Sequence, residues 1–182
     1  MEITIFKDIK QTSQPFYKHV NVILDRIKDG ASKDTVKSIR GEKDKENRRV
    51  LKAKLPAICF SGTFSKRADN AIINHSGLIC LDFDEYKTKT LMLQEKQRLS
   101  KDRYVFSVFV SPSGNGLKVL VKIPTETDNH KNYFLSLQNY FNSENFDKSC
   151  KNVSRVCYES YDPLIHINTL SSLWDKIEEQ EY

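Results

Sequence analysis

Apolar residues fall in short blocks along the chain, and their spacing switches between the two-residue period of a strand and the period of about 3.6 residues of a helix. The opening EITIFK alternates as a short strand. Pro15 then opens a helical pattern that puts Phe16, Val20, Ile23, Leu24 and Ile27 on one face and stops at Gly30. A second helix through Val36 and Ile39 leads into a basic stretch. LPAICFSG, residues 55–62, is a continuous apolar run of the kind a buried strand needs, and SKRADNAIINHSG after it is expected as a short helix closed by Gly77.

From Gly77 onward the pattern predicts a strand over 78–84, a helix over 88–99, strands over 103–110 and 116–123, a helix over 127–141 and a strand over 153–159. This is β-α-β-β-α-β, the split-βαβ or ferredoxin-like unit that RNA-recognition modules also use. The expected fold class is therefore mixed α/β (α+β), with an N-terminal strand and helical extension before the split core. Right-handed crossovers give such a sheet the order 4-1-3-2, its first strand antiparallel to both neighbours. The end of the first strand should then lie beside the beginnings of the third and the fourth.

Length and composition narrow the class. The 182 residues suit one well-buried core, and 38% hydrophobic with 29% charged residues excludes collagen, a coiled coil, a disulfide scaffold and a disordered chain. No apolar run approaches the roughly 18 residues of a membrane span, and Glu2, Lys7 and Asp8 interrupt any signal-peptide pattern, so a cytoplasmic protein is expected. Cys59, Cys80, Cys150 and Cys157 form no C-x-x-C pair and read as reduced, buried thiols, not a zinc site. The net charge of +5 is concentrated between Lys33 and Lys54, where nine Lys or Arg stand against four acids. Such a stretch is either an arm for nucleic-acid phosphates, through Lys43, Lys45, Arg48, Arg49 and Lys52, or a solvated helix face.

Three motifs carry candidate chemistry. In Ile79-Cys80-Leu81-Asp82-Phe83-Asp84, alternation sends Ile79, Leu81 and Phe83 toward the helices and Asp82 and Asp84 to the other face. Their Cα atoms should lie about 7 Å apart, so both carboxylates can reach one or two divalent ions; a strand end in solvent is the plain alternative. The hairpin Ser111-Pro112-Ser113-Gly114-Asn115-Gly116-Leu117-Lys118 permits positive φ and close approach of a ligand. Lys118 follows it as an exposed lysine that can meet a phosphate, and alternation lets Lys118 and Lys122 both face the carboxylates. In the segment from Phe146 to Arg155, Asp147 is a candidate third metal-binding carboxylate and Arg155 a candidate phosphate or base contact, with a surface Asp–Arg pair as the alternative. Asp162, in Tyr161-Asp162-Pro163, reads as a turn residue.

The succession D-F-D, S-P-S-G-N-G-L-K and D-x7-R on a split-βαβ core resembles the archaeo-eukaryotic primase superfamily, the PrimPol-type primases. K-L-P-A-I-C-F-S-G-T-F, G-L-I-C-L-D-F-D, S-P-S-G-N-G-L-K and S-R-V-C-Y-E-S-Y-D-P are similar to the small primase-like domains labelled VirE N-terminal, which precede helicase-like regions in replication proteins of bacteria and their mobile elements. The resemblance runs from about Ile3 to Asn168. It implies a primase-like domain over 1–170, with strand, helices and basic segment over 1–54, catalytic core over 55–169, and an acidic helical tail or linker over 170–182. Asp82 and Asp84 match the first metal-binding motif and Asp147 the third-motif carboxylate. Ser113 and Lys118 fall in the second motif, where many primases have S-x-H and this chain has no histidine; Ser111, Gly114 and Gly116 share that turn.

The activity so implied is metal-dependent nucleotidyl transfer, making or extending primers from nucleoside triphosphates on a single-stranded DNA or RNA template. Mg²⁺ or Mn²⁺ would sit on Asp82, Asp84 and Asp147, Lys118 and Arg155 would hold the triphosphate, and a helicase would work in cis or in trans. The alternative is a catalytically inactive relative that binds nucleotide or single-stranded nucleic acid within a larger helicase-containing replication protein. An RNA-recognition module would present stacking aromatics where this chain has Asp82 and Asp84.

Overall fold

The computed structural model describes residues 1–177. In chain order its elements are β1 (Glu2–Phe6), β2 (Phe16–His19), α1 (Val20–Asp29), α2 (Lys33–Gly41), α3 (Lys45–Lys52), β3 (Ala57–Cys59), β4 (Gly62–Phe64), β5 (Ile72–His75), β6 (Leu78–Phe83), α4 (Lys89–Leu99), β7 (Val105–Val110), β8 (Leu117–Lys122), α5 (His130–Phe141), β9 (Cys157–Tyr158) and β10 (His166–Ile167). One sheet has the order β2-β1-β3-β9 and a second β10-β7-β8-β6, with β4 and β5 as a separate ribbon. The class is mixed α/β, as the pattern predicted. Among the described residues no helix is long and apolar enough to cross a membrane.

The second sheet is covered on both faces, which is why its strands read as nearly unbroken apolar runs. Ile79, Leu81 and Phe83 of β6 pack with Met92 and Leu99 of α4 and Phe134 and Leu137 of α5. Leu78, Phe106, Phe109 and Leu120 face the other way, onto Ile3 and Ile58 of the first sheet and Ile23, Leu24 and Ile27 of α1. The strand β8 separates the parallel pair β6 and β7, so the split-βαβ half of the prediction holds, with Asp82 opposite Lys118 and Phe83 opposite Leu117.

The fourth strand of the core differs from the expectation. Only Cys157 and Tyr158 of the predicted 153–159 strand pair, and they pair with β3 in the first sheet. The edge of β6 is met by residues 145–147: Phe146 bridges Phe83, and the Asp147 amide donates to the Asp82 carbonyl over 2.8 Å. Two carbonyl-amide contacts suffice there because the strand ends at the site. The unpredicted β10 covers the far edge through Val108 and Ser107 of β7.

Other departures share one cause, the need of backbone groups at sheet edges for partners. Phe16 pairs with Ile5 as an exposed edge residue, so α1 starts only at Val20, with the His19 side chain accepting from the Asn21 amide. Residues 72–75, expected as helix, are a strand because they pair with β4. The tail over 170–177 is not helical. It is pinned by the Trp174 amide on the Lys122 carbonyl, with the indole stacked edge-on against Tyr104. The tail residues 178–182 lie outside the described ones.

A histidine pair, His130 buried and His75 half-buried, joins α5 to β5. The Gly77 amide donates to His75 Nδ1, which leaves the His75 proton on Nε2, 3.0 Å from His130 Nδ1. Burial, reinforced by His75 and opposed by Asp69, lowers the His130 imidazole to about 4 from 6.5. The unfolded chain therefore takes up a proton that the folded one refuses, and stability present above about pH 6.5 drains away toward pH 4. Acidifying from about pH 7 to pH 5 should cost about 2 kcal/mol through this residue. Thermal melts of His130→Phe should show a flatter pH slope than wild type, and an equal slope would remove the pair from the account.

Candidate active site

The site forms where three chain segments meet at the end of β6. Asp82 is held in the β6–β8 ladder, Asp147 arrives on the segment that bridges to Phe83, and Lys118 begins β8. Lys118 Nζ lies 2.5 Å from Asp82 Oδ2, with side-chain exposures of only 12% and 15%. The lysine is therefore not the exposed one that the sequence suggests. Burial disfavours its charge, yet Asp82, with Cys157, Cys80 and Asp84 adding to it, raises its pKa well above the ordinary lysine value.

Asp147 Oδ1 accepts from the Ser149 amide at 2.9 Å and Oδ2 from the Cys150 thiol at 3.1 Å. Burial works against its charge, but these bonds and the nearby Arg155 hold its carboxyl below the usual range. Cys150 Sγ also lies 3.5 Å from Asp82 Oδ2. Asp82, Asp147 and Cys150 each offer a ligand atom, all within 4.8 Å of one another. The sequence placed Cys150 among the inert thiols; the Asp147-x-x-Cys150 spacing within one loop was the available signal.

Asp84 stands outside that close group. Its Oδ1 rests where a side chain at residue 116 would sit, since a Cβ added to Gly116 would come within 2.2 Å of it. The glycine of the turn thus makes room for this carboxylate. Burial raises the Asp84 carboxyl, Asp82 and Asp147 add to the rise, and Lys118 and Lys52 oppose it. The next residue, Glu85, takes a left-handed φ of 60°, which turns the chain sharply out of the sheet.

The S-G-N-G turn is braced from outside the core. Arg40 Nη2 donates to the Ser111 carbonyl at 3.1 Å and the Tyr161 carbonyl at 2.9 Å, and its side chain packs beside Gly114, whose φ is 79°. Ser111 is buried with its hydroxyl 3.2 Å from that of Ser113, while Ser113 and Asn115 line a cleft. Opposite them stands α3, capped by the Asp44 carboxylate on the Asn47 amide. This cleft of about 620 Å³ is lined by Lys45, Arg48, Arg49 and Lys52 on one side and Asp84, Ser113 and Tyr158 on the other. Arg48 Nε is buried there without a hydrogen-bond partner. Burial, with Lys118 nearby, lowers the Lys52 ammonium. Lys43 precedes the helix and is absent from the lining, though its carbonyl accepts from Arg48.

Two expected contributors are engaged with backbone carbonyls. Arg155 donates to the Ser149 carbonyl at 2.8 Å and braces the Asp147 loop at the surface. Lys122 turns from the carboxylates to the Thr169 and Ser171 carbonyls, at 2.7 and 3.2 Å. Asp69 accepts from the Ser154 amide at 2.9 Å and from Asn152, which anchors the stretch between Cys150 and Arg155.

The donor set suits a divalent ion. Two carboxylates from separate segments converge with a thiol, and a lysine ammonium already supplies positive charge at Asp82 Oδ2.

No curated protein matches the sequence. Among solved structures, the AEP domain of the primase-polymerase (PrimPol) of cyanophage S-2L is similar at 12% identity and a TM-score of 0.48, over 96% of this chain and 83% of that one. The sequence model of one family, described as BT4734-like, N-terminal domain, matches residues 50–166, a span that holds the end of α3, Asp82, the S-G-N-G turn, Asp147 and Cys150. That description does not carry the VirE N-terminal label suggested by the motifs; the chain belongs to the BT4734-like N-terminal domain family.

Proposed function

We propose that this chain is a metal-dependent nucleotidyltransferase domain of the primase-polymerase kind, which extends or makes primers from nucleoside triphosphates on a single-stranded template. The observation that carries the reading is the convergence of Asp82 and Asp147 beside Lys118, with Asp84 next to them lining a cleft whose far wall carries Lys45, Arg48, Arg49 and Lys52. Asp82 and Asp147 would hold Mg²⁺ or Mn²⁺, with Asp84 adjacent. A bound ion of this kind supplies Lewis acidity to a phosphoryl oxygen and favours the deprotonated 3′-hydroxyl.

The remaining work falls to the chain. Lys118, once Asp82 turns to a cation, presents an ammonium to the phosphates of a nucleotide, and Arg48 and Lys52 offer further donors across the cleft. The outer residues of α3, Lys45 and Arg49, suit the phosphates of a template strand. The turn braced by Arg40 keeps Ser113 and Asn115 at the rim.

A second reading is favoured by one observation, the closed Lys118–Asp82 pair. If that pair persists with nucleotide present, the domain binds nucleotide or single-stranded nucleic acid without turnover, in the service of a helicase-containing protein.

Primer extension separates the two. Wild type should incorporate nucleotides on a primed single strand with Mn²⁺ or Mg²⁺, and Asp147→Asn should lose roughly a hundredfold or more, since several kcal/mol of charge stabilisation disappear. Nucleotide binding without incorporation by wild type, on DNA and RNA alike, would sink the enzymatic reading and leave the second.

A further inference from the structure

We infer that the Cys150 thiolate is a ligand of the divalent ion, together with Asp82 and Asp147, and that it makes the site select thiophilic or borderline ions over Mg²⁺. This rests on the reading of Asp82 and Asp147 as a metal site and extends it to a residue that the primase resemblance does not supply.

Cys150 belongs to the apolar core that backs β6, but its sulfur also meets polar groups. A buried structural cysteine sits against apolar neighbours. Cys150 is only 4% exposed, yet its sulfur points at carboxylate oxygens from two different segments, at 3.1 and 3.5 Å. Ligand atoms around one tetrahedral ion, with metal–sulfur near 2.3 Å and metal–oxygen near 2.1 Å, stand about 3.4 to 3.6 Å apart. The two sulfur–oxygen spacings lie within about 0.5 Å of that range, and the two carboxylates offer oxygens within 4.8 Å of one another. The remaining cysteines do not share this arrangement: Cys59 points to the Val153 and Arg155 carbonyls, Cys157 to the Tyr158 carbonyl, and the Cys80 thiol pairs with that of Cys157.

The two carboxylates are met by the Lys118 ammonium, the Cys150 S–H and the Ser149 amide. An incoming cation takes over that role, and the thiol proton passes to solvent as the sulfur ligates. A soft sulfur contributes to Co²⁺, Zn²⁺ or Cd²⁺ and little to Mg²⁺ or Mn²⁺, which prefer oxygen.

Co²⁺ titration of the full chain tests this by optical absorption. Wild type should show a thiolate-to-cobalt charge-transfer band in the near ultraviolet, absent in Cys150→Ser and in Asp82→Asn. Cys150→Ser should bind Co²⁺ roughly tenfold or more weakly while its Mg²⁺ affinity changes by less than about twofold. If wild type binds Co²⁺ in an Asp82-dependent way without the charge-transfer band, the sulfur is no ligand and the carboxylate site stands. If wild type binds neither Co²⁺ nor Mn²⁺, the metal reading itself falls. The band is measured on wild type, so the outcome does not depend on the variants folding.

Discussion

Lys118→Met is expected to destabilise the metal-free fold by about 3 to 5 kcal/mol, the cost of stripping the partner from a buried charge. Methionine keeps the aliphatic stem between its neighbours, so the loss isolates the ammonium. The carboxylate left behind, Asp82, has Asp147 and the raised carboxyl of Asp84 close by, and repulsion among them adds to the cost. Millimolar Mn²⁺ should return much of the loss, because a divalent ion supplies the charge that the lysine gave. Triphosphate affinity in the presence of Mn²⁺ should fall roughly ten- to a hundredfold, the value of one charge-assisted contact. Melting curves with and without Mn²⁺, and calorimetric titration with a non-hydrolysable triphosphate, measure the two effects. A variant as stable as wild type without metal would show that the pair holds nothing together. The sequence alone led to a different expectation, of an exposed strand lysine with little effect on stability.

Asp162→Ala should cost a similar 3 to 5 kcal/mol, or about 10 °C in Tm, although it touches no part of the site. Asp162 Oδ2 accepts from Lys96 Nζ at 2.6 Å and from the Val110 amide at 2.8 Å, and Oδ1 from the Leu164 amide at 3.0 Å. Side-chain exposures of 10% for Lys96 and 6% for Asp162 leave water no way to replace these bonds. The double change Lys96→Met with Asp162→Asn should recover a large share, since it removes the stranded ammonium and keeps an acceptor for the amides. Denaturant unfolding of the three chains decides it: a single variant within about 1 kcal/mol of wild type would mean that the pair is solvated in solution.

The elements legible in the sequence are those whose apolar period is long enough to be read locally. The β6–α4–β7–β8–α5 succession falls where the alternation and the helical spacing put it, and the alternation in β6 sends Ile79, Leu81 and Phe83 to one core and leaves Asp82 on the other face. The capping glycine after α1 and the turn before β8 were equally visible, because they depend on backbone conformations that few residues adopt. The motifs likewise supplied Asp82, Lys118 and Asp147 as candidates before any partner was known.

What the tertiary structure alone decided is which groups share an environment. Burial turns Lys118 from a solvated side chain into the counter-ion of Asp82, and burial is a property of what the other segments cover. The short strands β5, β9 and β10 exist because the backbone of β4, β3 and β7 needs partners, a demand with no periodic signature in two to four residues. The approach of α3 to Asp84 and the aim of the Cys150 sulfur join residues far apart in the chain. Neither local propensity nor hydrophobic period carries information about such a contact, because its energy comes from charges and donors that meet only after the sheets have closed.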